Sequence, residues 1–441
     1  VGRGAFRSTA RLLYICTKNS GGRMYIKSIS LKNFRCFEGL TLNLNAKLNV
    51  FFGENGSGKS SLFEAINILL GNITDKLGKN FAVKINLSYE DIYNESIDSY
   101  IEISMFDKSL ITWGLGATKT IEKGNFSTNT TYHCHQLEPY VKNIINAIVL
   151  NKKTRNLPIF LSYKATRSTE CFYAKNENEY IISPTACYDD AISRNYDYHS
   201  FFRWFKARED LELQKSKHSI THYDEQLQAV RSAIKSFCDF SDFSFDRETW
   251  QFVIEKDGKN IFYRQLSDGE RGYIILIGDI ARRLAIANSE LTNPLDGEGI
   301  ILIDEIELHL HPKWQRKIIP GLQKTFPNCQ FLISSHSPQV LGEVPKESVW
   351  ILEPGEEPYH PSRSYGMESS ELLREVMGAE SRSPEVTEVL KDIDHLIEEG
   401  KFEDARRSIS DLAKSTGKIP ALISANSYLT MMGQEQADIE E

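Results

Sequence analysis

The stretch Gly53-Glu54-Asn55-Gly56-Ser57-Gly58-Lys59-Ser60 constrains this chain more than any other, because it matches the phosphate-loop pattern GxxxxGK(S/T) in the right context. LNVFF (48–52), just before it, is a continuous apolar run, as a strand buried on both faces requires. SLFEAINILL (61–70), just after it, has helical spacing, and Gly71 is expected to cap that helix. In such a strand–loop–helix unit the glycines let backbone N–H groups converge on phosphate oxygens, and the helix N-terminus adds the positive end of its dipole. Gly53, Asn55, Gly56, Ser57, Gly58, Lys59, Ser60 and Ser61 form the candidate phosphate-binding set. Lys59 would reach the β and γ phosphates of ATP and Ser60 would ligate Mg2+.

Three later segments carry complementary chemistry. IILID (300–304) places Asp304 at the tip of a buried strand, where a carboxylate can hold Mg2+, and Glu305 follows, able to polarise an attacking water. FLISSHS (331–337) puts His336 after another apolar strand, as a candidate contact for the γ-phosphate. Between the phosphate loop and these strands, Leu266-Ser267-Asp268-Gly269-Glu270 opens a helix and resembles the LSGGE/LSGGQ signature of ABC-type ATPases, with Asp268 in place of the first glycine. Ser267 suits an N-cap. In that family the signature completes the site of a second protomer, so Ser267, Asp268, Gly269 and Glu270 imply a head-to-tail homodimer enclosing two ATPs.

Other features constrain less. Arg35, in Lys32-Asn33-Phe34-Arg35, sits where RecF- and SMC-like heads place residues against nucleotide, and is a candidate phosphate or partner contact. Tyr163 and Arg167 stand where transporters carry a sensor glutamine. His309 and His311 in ELHLHP read as a polar turn rather than metal ligands, for want of partners at suitable spacing. The seven cysteines form no CxxC pair, which suits reduced thiols and a cytoplasmic location. No apolar run reaches the roughly 18 residues of a membrane span, and no membrane role is expected. A net charge of −8 argues against indiscriminate coating of nucleic acid, while leaving a local basic groove open.

The pattern along the chain predicts an α/β fold. Residues 1–23, basic and without an acid, read as a non-native or flexible leader, with the native fold beginning at Met24. Strands are expected over 24–52 and again in 84–115 (INLSYE, YIEISMF). Residues 116–150 read as a loop then a helix, the start of a helical or irregular insertion reaching about residue 240, with helix over 199–238. A β-rich stretch follows with Asp257-Gly258 as its hairpin turn, then helix 270–287. Residues 383–441 read as a helical hairpin about Gly400 and an acidic tail, the ATPase head spanning 24–382.

These residues resemble the AAA_15/AAA_21 group of stand-alone bacterial ABC-type ATPases. FFRWFKAREDLELQ, QLSDGERGYIILIGDIARRLA, LIDEIELHLHPKWQRKI and FLISSHSPQVL are similar to the PtuA-type ATPases of Septu anti-phage systems and to ATPases encoded beside retrons. The resemblance implies a RecF/SMC-like nucleotide-binding head with a mixed sheet, β-rich subdomain, helical insertion and C-terminal helical hairpin. It implies ATP and Mg2+ as ligands, and assembly as a dimer or higher oligomer with an HNH nuclease subunit of the PtuB kind, with DNA contacted directly or through that partner. Two other assignments share the motifs: a RecF/SMC-like DNA repair ATPase, and the ATPase subunit of another defence system such as PARIS. The DGE of the signature, in place of GGQ, implies slow or regulatory turnover.

Overall fold

The computed structural model describes residues 23–78, 86–122, 125–149, 157–165, 183–192, 199–216, 223–237, 240–378 and 382–439. Three sheets organise the first compact unit, which ends at Met367. An antiparallel sheet has the order β2-β1-β4-β5-β6, from β1 (Tyr25–Phe34), β2 (Phe37–Asn43), β4 (Asp98–Asp107), β5 (Ser109–Glu122) and β6 (Asn125–His133). A parallel sheet has the order β13-β3-β12-β11-β7, from β3 (Leu48–Phe52), β7 (Ile159–Tyr163), β11 (Gly299–Ile303), β12 (Cys329–Ser335) and β13 (Val349–Ile351). Every residue of β3, β7, β11 and β12 is buried, as their uninterrupted apolar runs require. A small sheet, β10-β9-β8, joins Lys259–Phe262, Gln251–Lys256 and Asp242–Asp246, and Asp257-Gly258 is its hairpin turn.

Helix α1 (Lys59–Leu77) leaves the phosphate loop and packs on both larger sheets. It runs through Gly71, where a cap was expected. A glycine inside a helix costs about 1 kcal/mol against alanine, but Ile73 and Leu77 continue the buried face and outweigh it. The cap is Gly78, whose N–H donates to the Thr74 carbonyl at 2.8 Å. Trp113 Nε1 donates to the Leu69 carbonyl at 2.9 Å and ties the antiparallel sheet to this helix. Buried Gln330 ties the sheets to each other: its Oε1 accepts from Ile26 N at 2.7 Å, and its Nε2 donates to the Ile26 and Asn45 carbonyls.

The expected loop at 116 is instead the long hairpin β5–β6. Gly114 and Gly116 lie inside β5, where the Tyr100 ring and the Thr131 hydroxyl occupy the space their side chains would need. Conversely, INLSYE is not a strand: Asn86–Ser88 is irregular, Tyr89–Asp91 is a 3-10 turn, and residues 84–85 lie outside the described residues. Among the described residues of the 116–240 segment lie helices α2 (Leu137–Val149), α3 (His199–Ser216) and α4 (Glu225–Phe237). Phe201, Phe202 and Phe205 of α3 close with Phe243 and Phe252 into an aromatic cluster over the small sheet. The leader, apart from Arg23, and Arg167 lie outside the described residues.

Helix α5 (Asp268–Ala287) carries a buried charge cluster. Asp279, with no exposed surface, pairs with Arg282 at 2.6 Å and Arg283 at 2.8 Å, and accepts from the Tyr163 hydroxyl at 2.7 Å. Arg283 Nη1 also donates to the carbonyls of Cys187 and Asp189. One acid thereby fastens α5 to β7 and to the 184–189 turn. Helix α6 (Pro312–Thr325) lies between β11 and β12 in sequence, and the one-turn helix α7 (Pro338–Leu341) follows β12.

The second unit, Glu368–Glu441, takes in helix α8 (Ser369–Glu375), ahead of the expected start at 383. Helices α9 (Pro384–Glu398) and α10 (Phe402–Thr416) form the expected hairpin, with Gly400 at φ 73° in its turn. What read as a tail is a third helix, α11 (Pro420–Ile439), and Ile393, Ala405, Ile409, Leu412, Leu422 and Leu429 form their common core. No helix among the described residues is long and apolar enough to cross a membrane.

Replacing Asp279 with alanine removes the buried carboxylate that offsets the charge of Arg282 and Arg283. Breaking a buried ion pair by removing one partner costs about 3–5 kcal/mol. Urea denaturation of the Asp279→Ala chain is expected to show a loss of that size, and a loss below about 1 kcal/mol would show that the cluster does not hold α5 in place.

Candidate functional site

The parallel register builds the site. Phe52 pairs with Ser335, and Ile303 with Ile333, so the turns after β3, β11 and β12 leave neighbouring strands at the same edge. Those turns contain the phosphate loop, Asp304 and Glu305, and His336. Ligand sites in open α/β sheets lie at these carboxyl ends.

The phosphate loop is held from behind. A Cβ at Gly53 would collide with the Leu352 carbonyl, and one at Gly58 would meet the Phe37 ring at 2.5 Å. Gly58 also holds φ 98° as the residue before α1, so its position demands glycine twice. Ser57, Gly58 and Lys59 are buried, whereas Asn55, Gly56 and Ser60 are exposed and Ser61 half-buried. Lys59 Nζ donates to the Gly53 carbonyl at 2.9 Å, the Glu54 carbonyl at 2.8 Å and Ser57 Oγ at 3.3 Å. Burial pulls its ammonium below the ordinary lysine value, while the carboxylates of Asp304, Glu305 and Glu307 pull it back.

Ser334 organises the acid turn. Its hydroxyl donates to Asp304 Oδ1 and accepts from Glu305 N, the latter at 2.8 Å. Asp304 N donates to the Tyr163 carbonyl at 2.8 Å, which continues the β7 pairing by one residue. Glu305 holds φ 47° and His309 φ 62°, left-handed conformations that cost a non-glycine residue about 1–2 kcal/mol each. Glu307 turns back toward β12, where its Oε1 accepts from the His336 N–H. His311 caps α6, its Nδ1 accepting from Lys313 N at 3.3 Å.

The signature opens α5 as a capping box. Ser267 Oγ accepts from Glu270 N at 3.3 Å, and Glu270 Oε2 accepts from Ser267 N at 3.0 Å. Burial works against the Glu270 carboxylate, yet hydrogen bonds from Lys256 and Ser267 hold it below the ordinary value. Asp268 pairs with Arg271. Gly269 faces the loop after the acids so closely that a Cβ would stand 2.6 Å from the His309 carbonyl oxygen. Arg35 lies elsewhere in this unit's bonding: it holds φ 49°, and its guanidinium pairs with Asp91 at 2.9 Å.

Ser334, Glu307, Asp91 and the Cys36-Phe37 turn behind Gly58 all shape the site without having been singled out in the sequence. Glu307 carried the one available signal, a third acid within the four residues Asp304–Glu307. For MgATP the residues present fit. The exposed Ser60 hydroxyl and the Asp304 carboxylate are hard oxygen donors, and two protein ligands beside phosphate oxygens suit Mg2+. Among the described residues no three His, Cys, Asp or Glu side chains gather as a separate metal cage.

Comparison with known proteins identifies the family of the chain. The AAA_23 model, an AAA domain, matches residues 28–247, and AAA_21, an AAA domain model named for the AbiEii toxin of type IV toxin–antitoxin systems, matches 173–342. The chain is 28% identical to the retron Ec83 probable ATPase of Escherichia coli, over 90% of this chain and 85% of that one. It is 24% identical to the Septu protein PtuA of Bacillus thuringiensis, over 86% of this chain and 92% of that one. Among solved structures, the SMC head domain from Thermotoga maritima aligns over 77% of this chain and 99% of that one, at 15% identity and a TM-score of 0.40. Together the two AAA models span residues 28–342, and the chain belongs to the AAA-domain ATPases, homologous to the retron and Septu ATPases.

Proposed function

We propose that this chain binds and hydrolyses ATP at the shared edge of β3, β12 and β11, closing head to tail on a second copy, and that its nucleotide state controls a nuclease subunit in an anti-phage defence complex. The observation that carries the ATPase reading is the convergence of Lys59, Asp304, Glu305 and His336 at adjacent strand ends. The phosphates lie in the loop 53–61, where Lys59 exchanges its carbonyl partners for phosphate oxygens. Ser60 and Asp304 would hold Mg2+, which neutralises charge on the phosphates. Glu305 orients the attacking water, and His336 contacts the γ-phosphate.

Ser267 and Gly269 begin a helix whose N-terminal N–H groups suit a phosphate. In the dimer they face Lys59 of the other copy. Arg35 joins the phosphate contacts on leaving Asp91. The partner reading is supported by the similarity to Septu PtuA and the retron ATPases along most of the chain. An HNH nuclease is the partner class proposed, with DNA reached directly or through it.

Lys59→Ala is expected to abolish binding of fluorescent ATP in titration, and retained affinity would remove the phosphate loop from the site. Glu305→Gln is expected to lower kcat by about 10²-fold or more while trapping an ATP-dependent dimer in size-exclusion chromatography. Hydrolysis at the native rate by the Glu305→Gln chain would refute the role of Glu305. Co-expressed with the neighbouring open reading frame, the chain is expected to purify with a small nuclease; phage restriction by this chain alone would overturn the partner.

A further inference from the structure

We propose that the outer face of α6 is a docking surface for the phosphate backbone of double-stranded DNA; the choice of DNA rests on the defence reading above. The helix, PKWQRKIIPGLQKT, holds four cations and no acid, in a chain whose net charge is −8. At roughly 100° per residue, Lys313, Lys317 and Lys324 fall within about 40° of one another around the helix axis, and Arg316 flanks them. All four are exposed, while Ile318, Ile319 and Leu322 bury the opposite side. Among the described residues, none of the four pairs with an acid. The arrangement works against the helix that carries it. Lys313 lies in the first turn, where the helix dipole disfavours a cation and no acid offsets it. Lys313 and Lys317 are like charges one turn apart, which repel. A local rule broken on an exposed face, with no gain inside the chain, points to a partner outside it.

Charge makes the partner a polyanion, and geometry narrows it. From Lys313 to Lys324 the stripe runs roughly 16 Å at 1.5 Å per residue, about five base pairs of a duplex at 3.4 Å each. Thr325 Oγ1 lies 3.1 Å from Ser236 Oγ, so the exposed Lys235 of α4 adjoins the Lys324 end and extends the charge onto a second helix. The exposed positions of α6 hold only Lys, Arg, Pro and Gln, and Trp314 packs on Tyr273 with 4.8 Å between ring centroids. The face therefore offers no ring to stack an unpaired base and no large apolar side chain to enter a lipid surface. Contacts made to phosphates alone carry no sequence information, so the duplex is bound without regard to its bases.

The test is a fluorescence titration of the full chain with a labelled DNA duplex of arbitrary sequence, at 50 to 200 mM KCl and without nucleotide. With four phosphate contacts, log K is expected to fall against log salt with a slope of about −3.6. The triple variant Lys313→Gln, Lys317→Gln, Lys324→Gln is expected to weaken binding at least about tenfold and to flatten the slope by about 3, with a native melting temperature. Lys317→Glu, a single reversal at mid-stripe, is expected to weaken binding in the same sense and decides the matter if the triple variant does not fold. Removing three exposed lysines of the second unit instead (Lys391, Lys401 and Lys414, each to Gln) is expected to leave affinity and slope native. Equal loss in that control overturns the proposal, because net charge alone then accounts for binding. Native affinity in the triple variant, or no binding by the native chain at 50 mM KCl, also overturns it. So does displacement of the duplex by an equal charge of polyglutamate, which would assign the face to an acidic protein, or tenfold tighter binding of an RNA duplex. A chain that binds the duplex through this stripe but does not hydrolyse ATP sinks the ATPase reading and leaves this surface standing.

Discussion

Because Leu48–Phe52 pairs in parallel with Cys329–Ser335, and that strand in turn with Gly299–Ile303, the turns leaving their C-terminal ends must emerge side by side. Segments nearly three hundred residues apart in the chain are thus brought to one edge by backbone hydrogen bonds alone. Side chains then refine the placement. Ser334, one residue before the end of β12's pairing, reaches across to β11 and holds both Asp304 and the Glu305 backbone. Gln330, lower on the same strand, anchors the antiparallel sheet whose Cys36-Phe37 turn backs the phosphate loop.

That edge concentrates opposed charges in partly dry surroundings. Lys59 sits desolvated amid Asp304, Glu305 and Glu307. Three carboxylates would repel a polyphosphate, so an anion fits here only with cations to offset them. Lys59, the α1 N-terminus and a divalent ion are the groups suited to do so.

The phosphate loop, the acid strand, the histidine and the signature were legible because each has a local rule: a glycine spacing, an apolar run ended by a carboxylate, a capping serine. What escaped the sequence depends on distant partners. The stretch from 116 read as a loop, since the place of Gly114 and Gly116 in β5 depends on Tyr100 and Thr131 of neighbouring strands. Gly71 read as a helix stop because its local cost is visible and the burial of Ile73 and Leu77 is not. Arg35 drew notice because it stands where RecF- and SMC-like heads place residues against nucleotide, but its partner Asp91 is 56 residues away. Ser334 and Glu307 act only through register between β11 and β12, which no single segment encodes.

The contact of Gly269 with the His309 carbonyl joins the start of the signature helix to the loop that carries Asp304 and Glu305. Within one chain, therefore, the helix start proposed to face a second copy and the loop proposed to work on the chain's own nucleotide lie directly against each other. In a head-to-tail pair, any shift of the acid loop as ATP is consumed at one site would displace the helix end that encloses the other. Two such contacts facing each other would act as a mechanical ring, in which neither nucleotide is released without the opposite site registering it.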